Sequence, residues 1–112
     1  MARYLISFDD GTMNIPGEEL GAVGEAAHAV VRAAQEAGVW IFGGGVERQR
    51  ASIVATDGTV SDGPFPEIKA VVGGFVIIDV PSRAAALEWA AKFAVACRCA
   101  QEVREIMFDP LV

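Results

Sequence analysis

The strand-forming run Val71–Val80, VVGGFVIIDV, constrains this chain most. Alternate residues of a β-strand point to opposite faces of a sheet. Phe75 and Ile77 therefore face one way, and Val76, Ile78 and Val80 face the other. Both sets are apolar, so neither face of this strand suits water. Leaving several large side chains wet costs on the order of 25 cal/mol per Å² of apolar surface. A domain of 112 residues has much surface for its volume, and 53% of these residues are hydrophobic, with a mean hydropathy of +0.37. One layer of helices covers one face. The other is expected to pack on a second copy in a two-fold homodimer. The alternative is a loop lying over that face, for which the polar segment Glu47–Arg50 is short.

The remaining elements follow from periodicity and turn chemistry. Tyr4, Ile6 and Phe8 alternate with Leu5 and Ser7, a first strand over Arg3–Phe8, stopped by Asp9-Asp10-Gly11. Glu18 and Glu19 open a helix at the positive end of its dipole, and Gly38 ends it. Leu20, Val23, Ala27, Val31 and Ala34 form its apolar stripe. Val39–Phe42 is a short apolar strand ended by a turn at Gly43-Gly44-Gly45. Asp57-Gly58, between Ala51–Thr56 and Thr59–Asp62, predicts a hairpin with a type I′ turn. After the long strand, Ser82 caps a second helix with Ala86, Ala90 and Phe93 on its buried stripe and Trp89 on one flank. Glu102–Phe108 is a last strand, closed by Pro110. The order strand, helix, strand, hairpin, long strand, helix, strand predicts one domain over residues 1–112. Its fold class is α+β, a ferredoxin-like sandwich with two helices on one face of an antiparallel sheet.

Charge and composition exclude several functions. A net charge of −6 suits neither nucleic acid nor an anionic membrane surface. No apolar run reaches the roughly 18 residues of a spanning helix, and MARYLISFDDGT reads as a first strand, not a secretion signal. Cys97 and Cys99, one residue apart, read as free thiols, so a reducing cytoplasm is the expected location. One histidine and a Cys-x-Cys pair do not make a tetrahedral metal site. The glycine triplet lacks the spacing and the lysine of a phosphate loop. No cofactor is expected.

His28 is the only histidine, and proton transfer near neutral pH falls to it first. On a helical wheel it lies about 100° from the centre of the apolar stripe, beside Gly21, Gly24 and Gln35. It reads either as a general acid/base at a pocket mouth or as a half-buried side chain satisfying a hydrogen bond. Asp9 and Asp10 end the first strand, where a carboxylate either orients the imidazole or caps the turn. Asp62 either reaches a substrate or His28, or holds the Asp62-Gly63-Pro64-Phe65 turn. Phe42 and Phe65 are candidate pocket walls, Phe65 equally a core plug. Glu67 and Lys69 read as exposed, or as the rim of a partner subunit's pocket.

Asp57-Gly58, Asp62-Gly63-Pro64-Phe65, Glu67, Lys69, Gly73-Gly74-Phe75, Asp79 and Ala86-Leu87-Glu88-Trp89-Ala90 together resemble the YCII-related family, in particular its DGPF branch. Ala27-His28 and Glu36-Ala37-Gly38-Val39 with Gly43-Gly44 resemble the same branch. The resemblance implies a dimeric α+β barrel of ferredoxin-like protomers. It implies a His-Asp pair with the histidine on the first helix, for which His28 and Asp10 match by position. Some members act on small chlorinated or hydroxylated aromatics, and the fold is shared with muconolactone isomerase. Association with alternative sigma factors is the other implied role. The chain departs from the family's look at Val95-Ala96-Cys97-Arg98-Cys99-Ala100, where relatives have a proline and a glycine-containing turn. The expected function is a cofactor-free lyase or isomerase using His28 with Asp10 or Asp62 on a small cyclic or aromatic substrate. The alternative is a non-catalytic, ligand-binding or sigma-factor-associated regulatory homodimer.

Overall fold

The computed structural model describes residues 1–9, 11–47, 51–62 and 72–112. Strand β1 (Ala2–Asp9) leads through a 3-10 turn at Gly17–Glu19 into helix α1 (Leu20–Glu36). Then come β2 (Trp40–Gly45), the hairpin β3 (Ser52–Val54) and β4 (Val60–Asp62), β5 (Val72–Val80), helix α2 (Arg83–Cys97) and β6 (Glu102–Glu105). Four strands form one sheet in the order β2-β5-β1-β6, with every neighbouring pair antiparallel. This is the ferredoxin-like split βαβ, as the element order predicts. Hairpin β3-β4 forms a separate two-stranded sheet.

The core lies between the helices and one face of the sheet. Ile6, Ile78 and Val80 are fully buried there, packed with Tyr4, Val76, Ala34, Ala86, Ala90 and Phe93. The alanines on α2 let its backbone approach the sheet. Helix α2 starts as its sequence requires, since Ser82 Oγ accepts a hydrogen bond from the Ala85 N–H at 3.1 Å. Helix α1 ends at Gly38, whose φ of +74° suits glycine. The Val39 N–H then reaches back to the Ala34 carbonyl at 3.0 Å.

Several boundaries differ from the sequence expectation. The first helix begins at Leu20, because Gly17–Glu19 close a tighter turn in which the Glu19 N–H reaches the Pro16 carbonyl. Leu20, expected on the buried stripe, is 54% exposed. The last strand stops at Glu105, near the point where its partner β1 runs out of residues. Met107 and Phe108 beyond it are exposed. The hairpin turn is not type I′. Gly58 alone takes positive φ (+87°), the Gly58 N–H reaches the Ala55 carbonyl, and Ala55 N–H meets the Thr59 carbonyl. That is a three-residue loop with glycine in the left-handed position. Asp57 braces it by accepting the Thr59 N–H at 2.9 Å, which holds its carboxyl below the ordinary range.

Gly43-Gly44-Gly45 is the largest difference. The triplet continues edge strand β2 instead of turning, pairing with Val76, Phe75 and Gly74 of β5. Gly43 is required by close approach: a Cβ there would lie 2.6 Å from the Phe75 carbonyl oxygen and 2.9 Å from the Val76 Cα. At Gly44 a Cβ would meet nothing within 4 Å. Gly43→Ala is therefore expected to lose about 1–3 kcal/mol in urea unfolding, as overpacking does, while Gly44→Ala leaves the midpoint nearly unchanged.

Candidate functional site

Glycine in the sheet and aromatic rings around it open a cavity of about 370 Å³ between the helices and the sheet. Its floor includes Gly43, Gly45 and Gly74, small residues facing one another across β2 and β5. The Phe8 ring lies over Gly74, where a Cβ would come within 2.8 Å of it. Trp40 and Phe93 supply further aromatic wall. Volume and lining fit one small ring.

Helix α1 contributes Ala27, His28 and Val31. His28 is exposed at the cavity's edge, consistent with its place at the boundary of the apolar stripe. Gly24 and Gly21, one and two helical turns away, leave open space where side chains would stand. The imidazole is thus reachable by solvent and by a ring seated in the cavity.

The other expected site residues distribute differently. Phe42 does not line the cavity. A bulge between Trp40 and Phe42 shifts the register, so Trp40 stays on the helix-facing side opposite Ile78, whereas Phe42 pairs with Ile77. The Phe42 ring sits on the open face, 6.0 Å from that of Phe75. Asp62 is exposed on β4, where its carboxylate accepts a hydrogen bond from Ser52 Oγ across the hairpin. It is not among the cavity-lining residues. Asp9, at the end of β1, offers its carbonyl to the N–H and hydroxyl of Thr12. Asp10, Phe65, Glu67 and Lys69 lie outside the described residues, as does Gly63-Pro64 of the signature turn.

Sequence reasoning missed Phe8, Trp40, Phe93, Cys97 and Gln101 as cavity walls. Phe93 and Phe8 read as plain core residues, because nothing in a periodicity says where packing stops short. Cys97 and His28 are distant in sequence but line the same cavity, one from each helix. Burial pushes the Cys97 thiol above its ordinary value, and the neighbouring Cys99 adds to it. Cys99 is also pushed up by burial, opposed by hydrogen bonds to Thr12 and Gln101. Both thiols are free, and a protonated thiol is a poor nucleophile. Among the described residues no cluster of His, Cys, Asp and Glu could hold a metal ion, and no helix is long and apolar enough to cross a membrane.

The family model of the YCII-related domain matches residues 2–108. The chain belongs to the YCII-related family. Among solved structures, this YCII-related chain is similar to a 5-chloro-2-hydroxyhydroquinone dehydrochlorinase from Burkholderia phenoliruptrix AC1100, in complex with 2,5-dihydroxybenzoquinone. The TM-score is 0.54 at 14% identity, over 97% of this chain and 96% of that one. At that identity the likeness speaks for the shared fold. No curated protein sequence matches the chain.

The raised thiol values generate a test. Below about pH 8.5, the ordinary thiol range, Cys97 stays neutral and its burial carries no charge penalty. As pH rises through the raised value the thiolate is forced into an apolar wall, so stability falls on the alkaline side. Alkylation by iodoacetamide at pH 8 is expected to be several-fold slower at Cys97 than in a cysteine-containing peptide. Peptide mapping by mass spectrometry reads the site.

Proposed function

We propose that the cavity of this YCII-related protein binds a small cyclic or aromatic molecule and that His28 moves a proton on it in a cofactor-free lyase- or isomerase-type reaction. The observation carrying this is the chain's single histidine standing at the edge of a 370 Å³, ring-lined cavity. A neutral imidazole there takes a proton from a ring hydroxyl or ring carbon. The electron pair released enters the ring, and either a leaving group departs or the proton returns at another carbon. The dehydrochlorinase sharing the fold supports the lyase form, in which the departing group is chloride. Asp10, two residues beyond cavity-lining Phe8, is the sequence's candidate to orient the imidazole. Asp62 is already engaged by Ser52. The DGPF branch is the closer relationship that the Asp62–Phe65 turn supports.

The test is chloride release from 5-chloro-2-hydroxyhydroquinone, read with an ion-selective electrode against the uncatalysed rate. Turnover that falls about 10²- to 10⁴-fold in His28→Asn, the usual weight of one acid/base, supports the reading. Saturable binding of the same compound without turnover in the wild-type protein transfers it to the second reading, a ligand-binding regulatory module.

We further infer that the active form is a cytoplasmic homodimer joined through the open face of the sheet. Phe42, 62% exposed, packs beside Phe75, with Ile77 and Leu5 paired on the next strands. Arg3 pairs with Asp79, and Arg104 pairs with Leu5, at the rim of that patch. An apolar centre with both charge signs around it is self-complementary under a two-fold axis. Sedimentation equilibrium at micromolar concentration is expected to give a dimer, and Phe42→Asp a folded monomer with unchanged circular dichroism. A wild-type monomer overturns it.

A further inference from the structure

The connector after helix α2, Cys97 to Gln101, meets the cavity at both of its ends. Helix α2 ends because Arg98, not a glycine, takes the left-handed conformation, with φ of 56°. A non-glycine residue held there costs roughly 1 kcal/mol or more. An ion pair from Arg98 to Glu19 at 3.0 Å, spanning to the start of α1, helps to hold it. The turn drops the chain from the helix layer to the sheet within a few residues and delivers the Gln101 side chain to the cavity just before β6.

Gln101 is held there by one side of its amide. Nε2 donates to the Cys99 carbonyl at 3.3 Å and lies 3.5 Å from Cys99 Sγ. Cys99 is itself within hydrogen-bonding reach of Thr12 from the loop after β1. This fixes which end of the amide is which and leaves Oε1 without a hydrogen-bond partner among the described residues. Gln101 itself is half-buried and lines the cavity. Four cavity-lining side chains among the described residues carry hydrogen-bonding groups: His28, Trp40, Cys97 and Gln101. The Trp40 indole only donates, the Cys97 thiol is weak in both directions, and His28 is assigned the proton. Gln101 Oε1 is the remaining strong acceptor.

We propose that Gln101 is a specificity-determining residue of this cavity, whose Oε1 accepts a hydrogen bond from a hydroxyl carried on the bound ring. The assignment rests on the reading of the cavity as a ring-binding site. It adds a second recognition point, built by the left-handed turn at Arg98. Rings bearing a hydroxyl are selected over apolar rings of the same shape.

The test compares 4-methylphenol with 1,4-dimethylbenzene, which differ by a hydroxyl in place of a methyl, using NMR titration of the full-length protein. In the wild type the phenol is expected to bind about five- to tenfold more tightly, the worth of one net hydrogen bond. The Gln101 side-chain amide signals move with the phenol. Gln101→Leu removes that preference while 1,4-dimethylbenzene binds as before. A Gln101→Leu protein that still prefers the phenol overturns the assignment. Loss of both ligands equally in Gln101→Leu shows a merely structural role and also overturns it. If neither compound binds the wild type, the ring-binding reading itself fails, an outcome distinct from all of these.

Discussion

The antiparallel pairing of β1 with β5 is the contact on which the rest depends. These two strands are the centre of the sheet and are paired from Ala2–Val80 to Asp9–Val72. Period-2 alternation then sends Ile6, Val76, Ile78 and Val80 beneath the helices and Leu5, Phe75 and Ile77 to the other side. A one-residue slip would exchange these sets, and the alanine-lined helix α2 would lose its counterpart. The helix-facing set fixes where α1 and α2 rest. The opposite set leaves an apolar surface with charged neighbours.

The cavity is a local failure of that same packing. Toward the end of the sheet where β1 stops and β5 begins, large aliphatic residues give way to Gly43, Gly45 and Gly74. Ala27 and Val31 of helix α1 line the gap that the glycines leave. Aromatic rings from β1, β2 and α2 frame the gap without filling it. A polar group at such a place is accessible and yet set against an apolar wall, the setting in which one imidazole or one amide oxygen can choose among ligands.

Most of the fold was legible in the sequence because its signals are local and redundant. Ser82 before an alanine-rich run, Gly38 after one, and alternation in Arg3–Phe8 each predict an element that the chain forms. The signals that misled were those with two physical meanings. A glycine triplet can mean a turn or a close approach, and between β2 and β5 it means the second. Asp57-Gly58 fits two hairpin loops, and only Gly58 takes the left-handed angle. Of the candidate site, His28 was legible as a boundary residue of an amphipathic helix. Phe42 was not placed correctly, because a bulge at Trp40 moves it across the sheet and no residue type announces a bulge.

Sequence alone determined the element order, the split βαβ arrangement and the presence of apolar residues on both sides of β5, since these depend on periodicity and chain connectivity. It also singled out Val95–Ala100 as a departure from the resemblance without saying what the segment does. Tertiary structure alone decided that His28, Cys97, Gln101 and the three rings of Phe8, Trp40 and Phe93 line one space. These residues come from four different elements and the Gln101 connector, so their meeting depends on how helix, sheet and turn pack. Packing geometry is a property of distances between elements, and no pattern along the chain encodes it.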